Sequence, residues 1–168
     1  MIDIRHFESV PDHHIKLGIW DIIKENVDTK ENFCDFFNDI ENESFLIAFD
    51  HGKVVGFICF EVDSYPKAMK ELVNDYVTPI FIKLIMTSKK AEQSNIGMSL
   101  IVWFQTLLFN SLRLVVVSNP SHDNRLIDNL EHCGYLRDDS KEYKGKKIDE
   151  RLGHYYFKYI NPFDFGGI

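Results

Sequence analysis

The chain has 168 residues, 45% of them hydrophobic and 27% charged, which fits one globular domain and excludes a disordered or fibrous class. Its formal charge is −7, and the acidic excess is one-sided: residues 1–75 hold 7 Lys/Arg against 16 Asp/Glu, and residues 76–168 hold 12 against 10. A phosphate-reading partner needs the opposite sign, so nucleic acid is disfavoured, whereas an acidic half suits a cationic partner such as an amine.

In chain order, residues 2–7 alternate weakly as a first strand. Asp12 can cap a helix running to about Val27, with Ile15, Ile19, Ile22 and Ile23 at helical spacing. Thr29 can cap a second helix, on which Phe33, Phe36, Phe37 and Ile40 form a stripe. Two β-rich runs, SFLIAF and VVGFICFEV, flank Asp50-His51-Gly52-Lys53 and predict a hairpin. PIFIKLIMT reads as the next strand, followed by the polar loop SKKAEQSN and a helix over about 96–110. LRLVVVS is apolar throughout, as a strand buried on both faces would be. A further helix spans 123–133 and stops at Gly134, and two closing segments pair as antiparallel strands. The order β-α-α-β-β-β-α-β-α-β-β predicts a mixed α/β (α+β) sheet over a single domain, residues 1–168.

Several chemistries find no support. Cys34, Cys59 and Cys133 are widely spaced with no CxxC pair, so neither a disulfide framework nor a zinc knuckle is expected. Such thiols fit a cytoplasmic protein, and the first residues lack the basic-then-apolar order of a secretory signal. The apolar stretch 99–117 is interrupted by Gln105, Asn110 and Arg113, which suits a buried helix running into a buried strand better than a membrane span. His13 and His14 are adjacent and point to different sides of their helix, so they make no metal face, and no metal site is expected.

The informative unit is the strand, loop and helix over residues 80–112. Backbone N–H groups at a helix start lack intrahelical partners and carry partial positive charge, so they form a site for a pyrophosphate. Gly97 at that start lets backbone approach an anion, or serves helix packing. Glu61 and Asp63, near the end of the third strand, are the candidate carboxylates for a base, with a merely solvated strand end as the alternative.

Here the sequence resembles the GCN5-related N-acetyltransferase (GNAT) family. Glu92-Gln93-Ser94-Asn95-Ile96-Gly97, continued by Met98, falls on that family's Gln/Arg-x-x-Gly-x-Gly/Ala loop. The helix ending Cys133-Gly134-Tyr135 falls on its Gly-Phe/Tyr landmark. The resemblance implies a mostly antiparallel sheet of six or seven strands with splayed central strands. It also implies acetyl-CoA as co-substrate and direct attack by a primary amine, from a small molecule or a protein. Carried over by position, the cofactor residues are Ile85, Met86, Thr87, Gln93, Ser94, Asn95, Ile96, Gly97 and Met98, with Asn119 and Asn124 on the pantetheine side.

The sequence departs from the pattern at Glu92, Asn95 and Leu130, the last standing where many members place an acid tyrosine near the CoA sulfur. Ser121, His122 and Tyr135 are the substitutes within reach in sequence. The resemblance leaves the oligomeric state open, the C-terminal strand pair being a common homodimer surface in the family. The alternative on this fold is a catalytically inert binding or inhibitory protein that engages a partner through its acidic first half.

Overall fold

The computed structural model describes residues 1–9, 12–90, 95–108, 111–118, 123–137, 142–143, 146–147 and 155–161. Strands β1 (Ile2–Phe7), β2 (Ser44–Asp50), β3 (Lys53–Val62), β4 (Thr78–Thr87), β5 (Arg113–Ser118), β6 (Leu136–Arg137) and β9 (Tyr155–Ile160) form one seven-stranded sheet in the order β1-β2-β3-β4-β5-β9-β6. All its pairings are antiparallel except β4–β5. Short β7 (Glu142–Tyr143) and β8 (Lys146–Lys147) pair separately. The expected mixed sheet, its strand number and its antiparallel character are all found.

Helix α1 (His13–Asn26) starts where the sequence predicts, with the Asp12 carboxylate accepting from the Ile15 N–H. The second helix does not start at Thr29. Asn32 caps α2 (Phe33–Asp39) by accepting from the Asp35 N–H, while the Thr29 hydroxyl oxygen accepts from the Glu31 N–H two residues on and makes a local turn. Between β2 and β3 the turn is His51-Gly52, both with positive φ (50° and 79°), the two-residue hairpin whose twist matches its strands.

Two faces of the sheet are covered. On one, α3 (Ile96–Leu107) and α4 (Asn124–His132) pack over Ile58, Phe60, Ile80, Ile82, Ile85, Val115 and Val117. On the other, α1 and α2 cover Phe45, Ile47, Phe57, Cys59 and Met86, and a second cluster follows on Leu114, Val116 and Phe157 under the 3₁₀ turn Lys67–Leu72. The Phe33, Phe36 and Phe37 stripe closes on Trp20 of α1 as core. Leu114, Val115, Val116 and Val117 are fully buried, as an apolar central strand requires. No helix among the described residues is long and apolar enough to cross a membrane.

Candidate active site

Strands β4 and β5 run parallel from Thr78↔Arg113 to Ile82↔Val117, and there their pairing stops. Residues 83–87 of β4 continue along β3 with no β5 partner among the described residues. Among the described residues one edge of β4 is therefore unpaired for half its length, with backbone groups that need partners. At the end of this stretch stands the start of α3. Asn95 holds a left-handed conformation (φ 53°, ψ 34°) and makes no side-chain cap, so the first amides of the helix are not capped by it. Asparagine tolerates that conformation better than most residues, which is how it replaces glycine here.

A narrow cleft lies between these parts, lined by Thr87, Asn95, Ile96 and Gly97 and, from α4, by Asp123, Arg125, Leu126 and Asn129. Gly97 is required by the α3–α4 contact: a Cβ there would lie 2.8 Å from Leu126 Cδ2 and 3.1 Å from Asn129 Nδ2. Its missing side chain thus brings Asn129 to the cleft wall. Asp123 does not offer a free charge to an anion, because its Oδ1 accepts from the N–H groups of Arg125 (3.0 Å) and Leu126 (3.1 Å). Arg125 is the cation of the lining. The cleft floor is tied to α1, whose Asn26 Nδ2 donates to the Thr87 carbonyl at 3.1 Å. Glu25 of the same helix accepts from the Lys89 N–H at 3.0 Å. A larger groove of about 670 Å³ between α1 and the β2–β3 turn mixes carboxylates with lysines and histidines and meets no open strand edge.

On the opposite face of the sheet, level with the end of β5 pairing, β4 carries a bulge. Cys59 opposes Leu84 and Phe60 opposes Ile82, leaving Lys83 as the extra residue. Lys83 bridges two carboxylates, bonding to Glu43 Oε1 and, at 2.9 Å, to Glu61 Oε2. Glu43 is 6% exposed, and its second oxygen accepts from the Cys59 thiol at 3.2 Å. Partial burial on its own would lower the Lys83 pKa, but the hydrogen bonds and charges of Glu43 and Glu61 outweigh it, and the ammonium is held above its usual range. Burial, and then the Glu43 charge, push the Cys59 thiol far up, so it is no nucleophile.

The candidate residues divide accordingly. Thr87, Asn95, Ile96 and Gly97 meet at the cleft. The side chains of Ile85, Met86 and Ile96 are core, so what they can give a ligand is backbone. Met98 lies behind, with its Sδ 3.3 Å from the Cys133 Sγ. Asn124 is exposed and is not among the lining residues, whereas its neighbours Asp123 and Arg125 are. Glu61 is engaged by Lys83, and Asp63 is exposed beyond the strand with φ 58°. Tyr135 is 3% exposed within the core cluster that includes Leu130, and burial raises its hydroxyl pKa. A sealed hydroxyl in that position is a core aromatic. Gln93, Ser94, Asn119, Ser121 and His122 lie outside the described residues. Among the described residues no cluster of His, Cys, Asp or Glu suits a metal ion. The three cysteines are free, Cys34 exposed and Cys59 buried.

No family model matches the chain, and no curated protein matches it by sequence. Solved structures match over nearly its whole length. NAA60 of Arabidopsis thaliana in complex with a bisubstrate analogue superposes with a TM-score of 0.65 at 14% identity, covering 96% of this chain and 100% of that one. The acetyl-CoA complex of the same protein gives 0.64 at 13%, over 95% and 99%. Tetrahymena GCN5 gives 0.62 at 16%, over 95% and 97%. The chain therefore has the GNAT fold, and at these identities the likeness establishes the fold alone.

Proposed function

We propose that this protein transfers the acetyl group of acetyl-CoA to a primary amine by direct attack in a ternary complex. One observation carries the reading: the open stretch of β4 has an anion-compatible helix start at its end and a carboxylate, Glu61, beside it on the other face. Solved proteins of this fold include complexes with acetyl-CoA and with CoA, which supports the choice of co-substrate.

The chain's own groups fit such a ligand. The amides of Ile96 and Gly97, with Arg125, would take the pyrophosphate, and the free edge of residues 83–87 would take the amide-bearing arm. When bound, acetyl-CoA supplies a thioester carbonyl at the open strand edge. Glu61, with one oxygen on Lys83, has the other available for an ammonium and its proton. Departure of the sulfur places little demand on an acid, since a thiol titrates near about 8.5 and its thiolate is a good leaving group without prior protonation. Leu130, buried in the core, is thus compatible with turnover.

The same Leu130 favours a second reading, an inert acetyl-CoA-binding protein that engages a partner. Two measurements separate them. At 100 times its dissociation constant acetyl-CoA stabilises by about 2.7 kcal/mol, raising the melting temperature by about 5–10 °C at this chain length. No shift overturns both readings. A shift without acetylated product across alkylamines, peptides and aminoglycosides supports the inert protein.

A further inference from the structure

Lys83 and Glu43 stand outside the steps assigned above, and their arrangement deepens them. We propose that Lys83 is a positioning residue of the acceptor site: seated on buried Glu43, it holds the Glu61 carboxylate beside the open stretch of β4, where Glu61 receives the acceptor's ammonium. The inference rests on the transferase reading.

A lysine in the middle of a central strand is out of place on hydrophobicity alone. The bulge explains how it is accommodated. One extra residue turns Lys83 and Leu84 onto the same face, so that Leu84 joins the α1/α2 core while Lys83 reaches Glu43. The site falls between the two apolar clusters of that face, where Phe81 belongs to one and Leu84 to the other. It is also level with the last β4–β5 pair, Ile82↔Val117, where the sheet opens.

The charges are ordered by burial. Glu43, 6% exposed, must keep its partners, and both its oxygens are occupied by Lys83 and Cys59. An exposed ion pair would be loose and worth little. Here the ammonium cannot leave Glu43 without stranding a buried charge, so it is an anchor. Lys83 is one-third exposed and spends a second N–H on Glu61, whose side chain is 45% exposed. The other Glu61 oxygen has no hydrogen bond among the described residues. Two carboxylates against one ammonium leave a single negative charge, matched to one primary ammonium. In the step, that ammonium gives one proton to Glu61, which releases it to solvent, and the neutral nitrogen forms the C–N bond to the thioester carbon. The C–S bond breaks as the nitrogen loses its second proton, which passes by way of Glu61 or directly to the departing thiolate, leaving the neutral amide and the free thiol.

The test compares the full chain with Lys83→Met, Lys83→Arg and the double variant Glu43→Gln/Lys83→Met, which removes the buried charge together with its partner. Acetylated product from n-butylamine and from glycyl-alaninamide is quantified by mass spectrometry, and acetyl-CoA binding by calorimetry. Lys83→Met and the double variant should lose about 10–100-fold in kcat, part of what a positioned base supplies. Their KM for amine should stay equal or fall, since both variants keep the Glu61 carboxylate and lose the competing ammonium. Acetyl-CoA affinity should hold within about twofold and Lys83→Arg should recover most of the rate, because guanidinium also bridges carboxylates. Unchanged kcat in the double variant, or a loss confined to acetyl-CoA affinity, overturns the role of Lys83. Acetyl-CoA binding with no product from the unaltered chain overturns the transferase reading itself.

Discussion

Lys83→Met should also leave a signature in stability, one that removing Glu43 with it should relieve. Removing one partner of a buried ion pair costs about 3–5 kcal/mol because the other charge is left uncompensated. Glu43 is buried deeply enough for that figure to apply, but two features reduce it. The Cys59 thiol still donates to Glu43, and the lysine head is one-third exposed, so water can enter its place. About 2–3 kcal/mol is then expected near neutral pH, a fall in melting temperature of about 4–12 °C for a chain of this length. The double variant Glu43→Gln/Lys83→Met removes the buried charge together with its partner, so it should recover most of that loss. Thermal melts of the unaltered chain and of both variants at pH 8 read this directly. A single variant as stable as the double refutes the buried-anchor reasoning.

Gly97→Ala should force α3 and α4 apart, since the added carbon meets Leu126 at 2.8 Å; overpacking of about 1–3 kcal/mol outweighs a helix-propensity gain below about 1 kcal/mol. A lower melting temperature together with weaker acetyl-CoA binding checks it. Tyr135→Phe removes a buried hydroxyl that makes no well-aligned hydrogen bond among the described residues, so stability should be unchanged or higher and the rate of acetyl transfer unaltered; a large loss of kcat would return Tyr135 to the site. Thiol titration of the folded chain at pH 8 should give a fast reaction at exposed Cys34 and none at Cys59 until unfolding, as burial and then the Glu43 charge keep that thiol protonated.

Much of this architecture is legible in the residues because local chemistry fixes it. Asp12 caps α1, His51-Gly52 supplies two positive φ angles, and an apolar run becomes the fully buried β5. Where two residues offer the same chemistry, sequence does not choose: Thr29 and Asn32 both cap helices, and only packing of the phenylalanine stripe on α1 selects Asn32. Gly97 shows a deeper ambiguity, because close approach of an anion and close approach of a helix both require the same missing carbon. Asn124 was carried over by position in a motif, whereas its neighbours Asp123 and Arg125 line the cleft, and a shift of one residue around a helix changes the face presented. The Lys83 cluster was not legible, since a bulge leaves no mark on an alternating pattern. The only signal was a lone lysine inside an otherwise apolar strand.

The placement of acidic residues sharpens the charge argument. Several carboxylates of residues 1–75 have local work of their own: Asp12 caps a helix, Asp3 pairs with Arg5, Asp50 meets the N-terminal ammonium and His51, and Glu25 holds the Lys89 amide. Among the described residues only Glu43 and Glu61 form ion pairs with β4 where it opens, and Lys83 cancels one of the two. The excess in the first half of the chain therefore reduces, at the site, to a single uncompensated charge. A diffuse acidic field would attract any cation and fade within about 10 Å at 0.1 M salt. A single carboxylate fixed against a buried anchor instead selects by contact, which makes its preference for a primary ammonium over a bulkier quaternary one a matter of hydrogen bonding. Acetyl transfer to n-butylamine should accordingly resist competition by tetramethylammonium at equal concentration, and competition approaching that of a second primary amine would show that field, not contact, draws the acceptor in.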